Sequence, residues 1–121
     1  MSLKFTPDHE WLQRDEGSAV VGITVHAQDA LGDVVFVELP EVGKTYAQGE
    51  VAGVVESVKA AADVYMPVDG TVTAVNEDLR ADPSLANTAP MDQGWFFKIT
   101  LSNPSQFDAL MDAADYSKFA A

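Results

Sequence analysis

The sequence predicts a mostly β fold, and three observations lead there. Short valine-rich runs recur along the chain, each broken within a few residues by Gly, Pro or Asp. Residues 95–101 keep a two-residue alternation, with Trp95, Phe97, Ile99 and Leu101 on one side and Lys98 and Thr100 on the other. Helix signals, in contrast, are confined to two short stretches.

Taken in order, residues 18–23 read as the first strand. Thr24 can then cap a short helix over 24–31, and Gly32 is suited to stop it. Residues 33–39 form the next strand. Because Val34, Val35, Phe36 and Val37 are apolar on both parities, that strand is expected to be covered on both faces. Residues 51–58 read as a strand, and 60–66 are strand-like again until Pro67 stops them. Residues 70–75 and 95–101 complete the strands. The acidic stretch with Glu77, Asp78 and Asp82 reads as a solvated loop. A C-terminal helix is expected over 104–113, with Asn103 as cap, Pro104 at its first position and Gln106 three residues after the cap. Phe107, Leu110 and Met111 then share one face, and Tyr116 and Phe119 extend it. No linker or low-complexity tract interrupts the pattern, so residues 1–121 are expected to form a single domain. Sandwich and partly closed barrel both fit this string of elements.

Composition narrows the function classes. Of 121 residues 47% are apolar, enough for a core without disulfides, and there is no cysteine. Nineteen acidic residues against seven basic ones give a net charge of −12. Such a surface repels nucleic-acid phosphates and anionic membranes, while it can be steered toward basic patches on protein partners. The first residues lack a basic segment followed by an apolar run, so a soluble cytoplasmic protein is expected.

A self-contained active site is hard to assemble. His9-Glu10 has no second histidine at metalloprotease spacing, no glycine pattern cradles a phosphate, and no G-x-S-x-G elbow occurs. No catalytic residue and no metal site is therefore expected. Among the lysines, Lys59 stands apart, because it sits where the 51–58 strand must give way to the next one. Ala60, Ala61 and Ala62 leave its amine unobstructed, and Glu56 and Asp63 are its charged neighbours. A solubilising charge and a modification site are both open to a lysine in that setting.

The segment Glu56-Ser57-Val58-Lys59-Ala60-Ala61, with Asp63-Val64-Tyr65 and Pro67-Val68-Asp69-Gly70, resembles the lipoylation segment of glycine cleavage system H proteins. The resemblance extends to His9-Glu10-Trp11, to Val21-Gly22-Ile23-Thr24, to the block from Leu31 to Pro40, and to Val75-Asn76, Asn87, Pro90 and Gly94-Trp95. It implies a barrel-sandwich hybrid of two antiparallel sheets, with lipoate in amide linkage on Lys59 exposed on a hairpin. It implies a non-catalytic carrier that takes the aminomethyl group of glycine from a pyridoxal-phosphate glycine decarboxylase to a tetrahydrofolate-dependent aminomethyltransferase. A flavin-dependent dihydrolipoyl dehydrogenase would reoxidise the arm, and a lipoate ligase or a lipoyl or octanoyl transferase would load it. Glu10 and Asp63 are the carboxylates that the resemblance places against the loaded arm. Glu10 is otherwise read as an ordinary surface charge, and its removal is expected to leave the heat stability of the unloaded protein unchanged.

Three positions depart from the family pattern. Ala62 stands where a hydroxylic residue is frequent, Asp8 replaces a small or hydroxylic one, and Met91 takes an often aromatic place. Trp11 and Trp95 are read as packing residues. The flanks of Lys59 differ from those of biotin domains, which set methionines there, and from 2-oxoacid dehydrogenase lipoyl domains, which set aspartate before the lysine. A lipoate relay to other enzymes, using the same lysine, remains open, as does an interaction module without a cofactor.

Overall fold

The computed structural model describes residues 2–120. Nine strands form two sheets, and all their pairings are antiparallel. The strands are β1 (Ser2–Phe5), β2 (Glu10–Asp15), β3 (Ser18–Ile23), β4 (Val34–Glu38), β5 (Thr45–Tyr46), β6 (Val51–Ser57), β7 (Ala61–Tyr65), β8 (Gly70–Val75) and β9 (Phe97–Leu101). The larger sheet runs in the order β1-β2-β3-β9-β8-β5 and the smaller in the order β4-β6-β7. The mostly β, two-sheet architecture is the one the sequence and the resemblance lead to. Among the described residues no helix is long and apolar enough to cross a membrane.

The core lies between the sheets. β9 contributes Phe97, Ile99 and Leu101, all buried, while Lys98 and Thr100 are exposed, so the alternation in the sequence is realised side for side. Leu12, Val21, Val37, Val55, Val64 and Val72 meet them from the other strands. A smaller cluster gathers Phe5, Trp11 and Tyr116. Trp11 packs flat over Gly22, where a Cβ would fall 2.7 Å from the indole ring, and its Nε1–H donates to the Pro90 carbonyl at 2.9 Å. Both features serve packing, as the sequence leads one to expect for Trp11.

Helix α1 (Val25–Leu31) begins and ends where its signals place it: the Thr24 hydroxyl accepts the Ala27 N–H at 3.2 Å, and Gly32 follows at φ +79°. Elsewhere the structure corrects the sequence reading. β4 is not covered on both faces, since Val35 and Phe36 are 54% and 50% exposed. A bulge between Val34 and Phe36 turns these side chains outward, and the outer side of the small sheet faces solvent.

The expected helix over 104–113 is two helices. α4 (Pro104–Asp108) stops because Met111 enters a β-bridge with Phe5, through hydrogen bonds of 2.8 and 3.1 Å, and α5 (Ala113–Ala120) starts afresh with Asp112 capping the Asp115 N–H. Phe107 thus enters the main core, while Met111 packs with Tyr116 in the smaller cluster. Nor does the anticipated capping box form. The Asn103 side chain caps no backbone N–H, and the Gln106 side chain accepts the Asp69 N–H at 2.7 Å instead. Glu77 and Asp78 are exposed as expected, but they open a short helix, α2 (Glu77–Ala81), capped by Asn76, with α3 (Leu85–Thr88) following. β1, β2 and β5 carry no strong local strand signal and are supplied by pairing.

Candidate functional site

Lys59 occupies the turn between β6 and β7 and is exposed. Ser57 builds that turn. Its hydroxyl accepts the N–H groups of Lys59 and Ala60 at 3.3 and 3.0 Å and lies 3.1 Å from the Ala60 carbonyl, while its own N–H donates to that carbonyl at 2.7 Å. An ST-type turn of this kind fixes the backbone on either side of the lysine. The Val58 N–H donates to the Asp33 carbonyl at 3.0 Å, so the tip is also tied to the corner between α1 and β4.

That corner is shaped by Gly32 and Asn87. A Cβ on Gly32 would lie 3.2 Å from Lys59 Cε, and the residue's φ of +79° with ψ of −156° is open to glycine almost alone. The absent side chain is what lets the lysine stem pass over the end of α1. Asn87 locks the corner from below: its Oδ1 accepts the Val34 N–H at 2.8 Å, and its Nδ2 donates to the Gly32 carbonyl at 2.8 Å and to Gln28 Oε1 at 3.0 Å.

Beside this corner opens a cleft of about 210 Å³ between α1 and β7. Ile23, Leu31, Val55 and Val64 give it an apolar lining, and Ala27, Ala30 and Ala62 keep it wide. Asp8, Glu10 and Asp63 also line it, Asp63 at its outer edge. The structure therefore unites Glu10 and Asp63 at one cleft, with Leu31 in its lining next to the glycine that Lys59 overlies. Ala62, where a hydroxyl would have been a polar contact, instead widens the apolar part.

Glu10 is no ordinary surface charge, for it is only 2% exposed. Its Oε2 accepts the Tyr65 N–H at 2.9 Å and its Oε1 accepts the Thr6 hydroxyl at 3.1 Å. Burial pushes its pKa up to about 7, against the opposing pull of those two donors, and Asp8 adds a small push in the same direction as burial. Thr6 also accepts the N–H groups of Glu10 and Asp8, so one hydroxyl organises the whole β1–β2 turn.

A second polar group anchors the other end of α1. His9, at φ +65°, stacks on His26 with ring centroids 4.2 Å apart, and its Nδ1 shares a 2.7 Å hydrogen bond with the Tyr116 hydroxyl. That hydroxyl is 2.8 Å from Thr24 Oγ1, the α1 cap. Burial first, then the neighbouring imidazole of His26, lowers the His9 pKa, with Asp8 pulling the other way. The two histidines thus clamp α5 to the start of α1. Nothing in local sequence pairs residues so far apart. Thr6, Ser57 and Tyr65 were not read as site residues, and Ser57, Tyr65 and Asn87 stood out only as positions of the family resemblance. Among the described residues no group of three or more His, Cys, Asp or Glu side chains could hold a metal ion.

The arrangement can do three things chemically. It presents one amine at a fixed, accessible point, offers an apolar groove beside it, and sets carboxylates where a cationic group could be met. A lipoyl arm fits these residues: the acylable amine is exposed, the groove suits a hydrocarbon stem, and the clearance at Gly32 leaves its path open.

Comparisons with known proteins agree with that fit. The family profile described as "Glycine cleavage H-protein" matches residues 3–121. A glycine cleavage system H protein of Chromobacterium violaceum is 58% identical over 117 residues, covering 96% of this chain and 91% of its own length. One from Neisseria meningitidis serogroup C is 57% identical over 116 residues, covering 95% and 91%. The crystal structure of a glycine cleavage system H protein from Mycobacterium marinum superposes with a TM-score of 0.84 at 36% identity, over 97% of this chain and 94% of that one.

Proposed function

The chain belongs to the glycine cleavage H-protein family, and from that membership we propose that Lys59 is the residue through which it works. Proteins of this family are lipoyl carriers that shuttle between the enzymes of the system, and this chain carries lipoate on a lysine. Lys59 is our choice of that lysine. The observation that carries the choice is its place on the Ser57-built turn, over Gly32 and beside a cleft lined by both Glu10 and Asp63.

A lipoyl group in amide linkage supplies a redox-active cyclic disulfide on a long flexible arm. The chain's own residues do the rest. The turn holds the attachment point at one place, so the group stays at high effective concentration near each docked partner. The apolar wall of the cleft offers the arm's stem a site away from water. We take Glu10 and Asp63 as the carboxyl groups that would meet a cationic amine at the arm's end. We assign the carrier no catalytic residue of its own and take residues 1–121 as one carrier domain. The partners we propose are a pyridoxal-phosphate glycine decarboxylase, a tetrahydrofolate-dependent aminomethyltransferase, a flavin-dependent dihydrolipoyl dehydrogenase and a lipoate-loading enzyme. The proposed compartment is the cytoplasm, with which a cysteine-free sequence agrees.

The test is intact mass and peptide mapping of protein from a host supplied with lipoate. The adduct is expected on Lys59 alone, and Lys59→Arg should abolish both the adduct and glycine cleavage while leaving the fold intact. An adduct on Lys44 or Lys98 instead overturns the assignment.

A further inference from the structure

The small sheet has two faces of different character. Its inner row, Val37 opposite Val55 opposite Ala62, packs on the core. Its outer face carries two cross-strand rows: Phe36 opposite Glu56 opposite Ala61, and Glu38 opposite Val54 opposite Asp63. Val35 is turned out beside Phe36 by the β4 bulge, and Val58, at the end of the face, is 70% exposed. The result is a partly apolar face with a large aromatic on its β4 edge, carboxylates interspersed along its rows, and Lys59 at its end.

We infer that this outer face is the docking surface for the enzyme that uses the oxidised lipoyl arm, the glycine decarboxylase, which receives Phe36 in an apolar socket and surrounds it with cationic side chains. The inference rests on Lys59 as the lipoylated residue. A half-exposed aromatic with an acidic rim has the composition of an interface anchor: a desolvated centre supplies affinity, and charges around it supply steering and register.

Charge complementarity selects the occupant. Along β4 and the β6–β7 hairpin the only Lys or Arg is Lys59. Acylation makes that amine a neutral amide, which leaves Glu38, Glu56 and Asp63 without a local cation. A cationic partner surface is therefore attracted more strongly to the loaded chain than to the unloaded one, and docking follows the presence of the arm. The enzyme that attaches the arm would, on the same face, hold its product more tightly than its substrate, so the face suits an enzyme that uses the arm better than one that installs it. A second copy of the chain is disfavoured, because face-to-face pairing would oppose these carboxylates in a protein of net charge −12.

The test uses fully lipoylated chain, confirmed by intact mass and by an unchanged melting temperature, with glycine decarboxylase from the same organism. Its variants are Phe36→Ser, the double change Glu38→Lys with Glu56→Lys, and Asp15→Lys on the β2–β3 turn of the other sheet as control. Calorimetry gives the dissociation constant over a salt series, and steady-state kinetics gives KM and kcat with the carrier as substrate. The double variant should raise the dissociation constant and KM about tenfold and flatten the salt dependence. Phe36→Ser should raise both severalfold at any salt, kcat should stay within about twofold, and Asp15→Lys should bind as wild type. Unloaded wild type should bind more weakly than loaded. Dissociation constants and KM unchanged in both face variants overturn the inference. So does failure of the variants to be loaded while they still bind the decarboxylase normally, for the face would then belong to the loading enzyme. If unmutated lipoylated chain is no substrate at all, the Lys59 carrier reading itself fails and the inference with it, and that outcome is seen without any face variant.

Discussion

The Glu10 side chain accepts the Tyr65 N–H at 2.9 Å, and this hydrogen bond joins β2 of the large sheet to β7 of the small one beside the cleft that Glu10 lines. Glu10 therefore has a structural duty in the unloaded protein, independent of any arm. Glu10→Ala would leave a part-buried N–H and a buried hydroxyl without an acceptor, a loss of about 2 kcal/mol. Thermal unfolding of the unloaded protein should show a melting temperature lowered by several degrees. This reverses the expectation that the substitution leaves heat stability untouched, and an unchanged melting temperature would restore it.

Glu10 also sets a pH dependence. Its carboxyl has a raised pKa when folded, from 4.5 to about 7, so the folded state binds its proton more tightly than the unfolded state does. The favourable contribution is complete below about pH 4.5 and is lost as pH rises to about 7, where the curve levels. Glu10→Gln, which cannot ionise, should remove that slope, on the order of 3 kcal/mol across the window. Chemical denaturation of both proteins at pH 4.5 to 8 measures the difference. The lowered pKa of His9 acts with the opposite sign, since its contribution is present above about 6.5 and lost in acid, and comparing the two proteins cancels it.

Asp63 offers the cleaner probe of the cleft's carboxylates, since it is exposed and accepts no hydrogen bond that the fold depends on among the described residues. Asp63→Ala should leave the unloaded protein as stable as wild type. In loaded protein, non-enzymatic release of formaldehyde and ammonia should quicken by up to about tenfold, matching a charge-assisted contact of roughly 1 to 2 kcal/mol. Raised salt should mimic part of the effect. Release at the wild-type rate would shift the credit to burial of the arm's stem.

Gly32→Ala tests the corner beneath Lys59. The backbone at φ +79° and ψ −156° would strain any Cβ, at a cost of about 1 to 3 kcal/mol. The contact with Lys59 Cε is relieved cheaply by moving the flexible stem, so the stability loss should come from the backbone and the loading defect from displaced lysine. Denaturant midpoints and a mass-resolved time course of lipoylation separate the two, and a variant normal in both would show the corner to be indifferent to its glycine.

Much of this was legible in the sequence because it depends on neighbours along the chain. The alternation in β9 named its buried side, Thr24 and Gly32 marked both ends of α1, and the alanines after Lys59 announced an unobstructed amine on a hairpin. Local pattern reports what a segment prefers, and these segments obtain what they prefer.

What only the tertiary structure decided are the features set by partners far along the chain. Phe36 is exposed because a bulge reorients β4 and no described residue covers the outer face of that sheet, although its sequence reads as fully buried. The helix begun at Pro104 ends early because Phe5 claims the backbone of Met111. Glu10, a charge by its letter, is buried with Thr6 and Tyr65 as its hydrogen-bond donors, and burial raises its pKa to about 7 against the pull of those two donors. Burial and hydrogen bonding are properties of the closed chain, and loop closure brings together residues between which local sequence carries no signal.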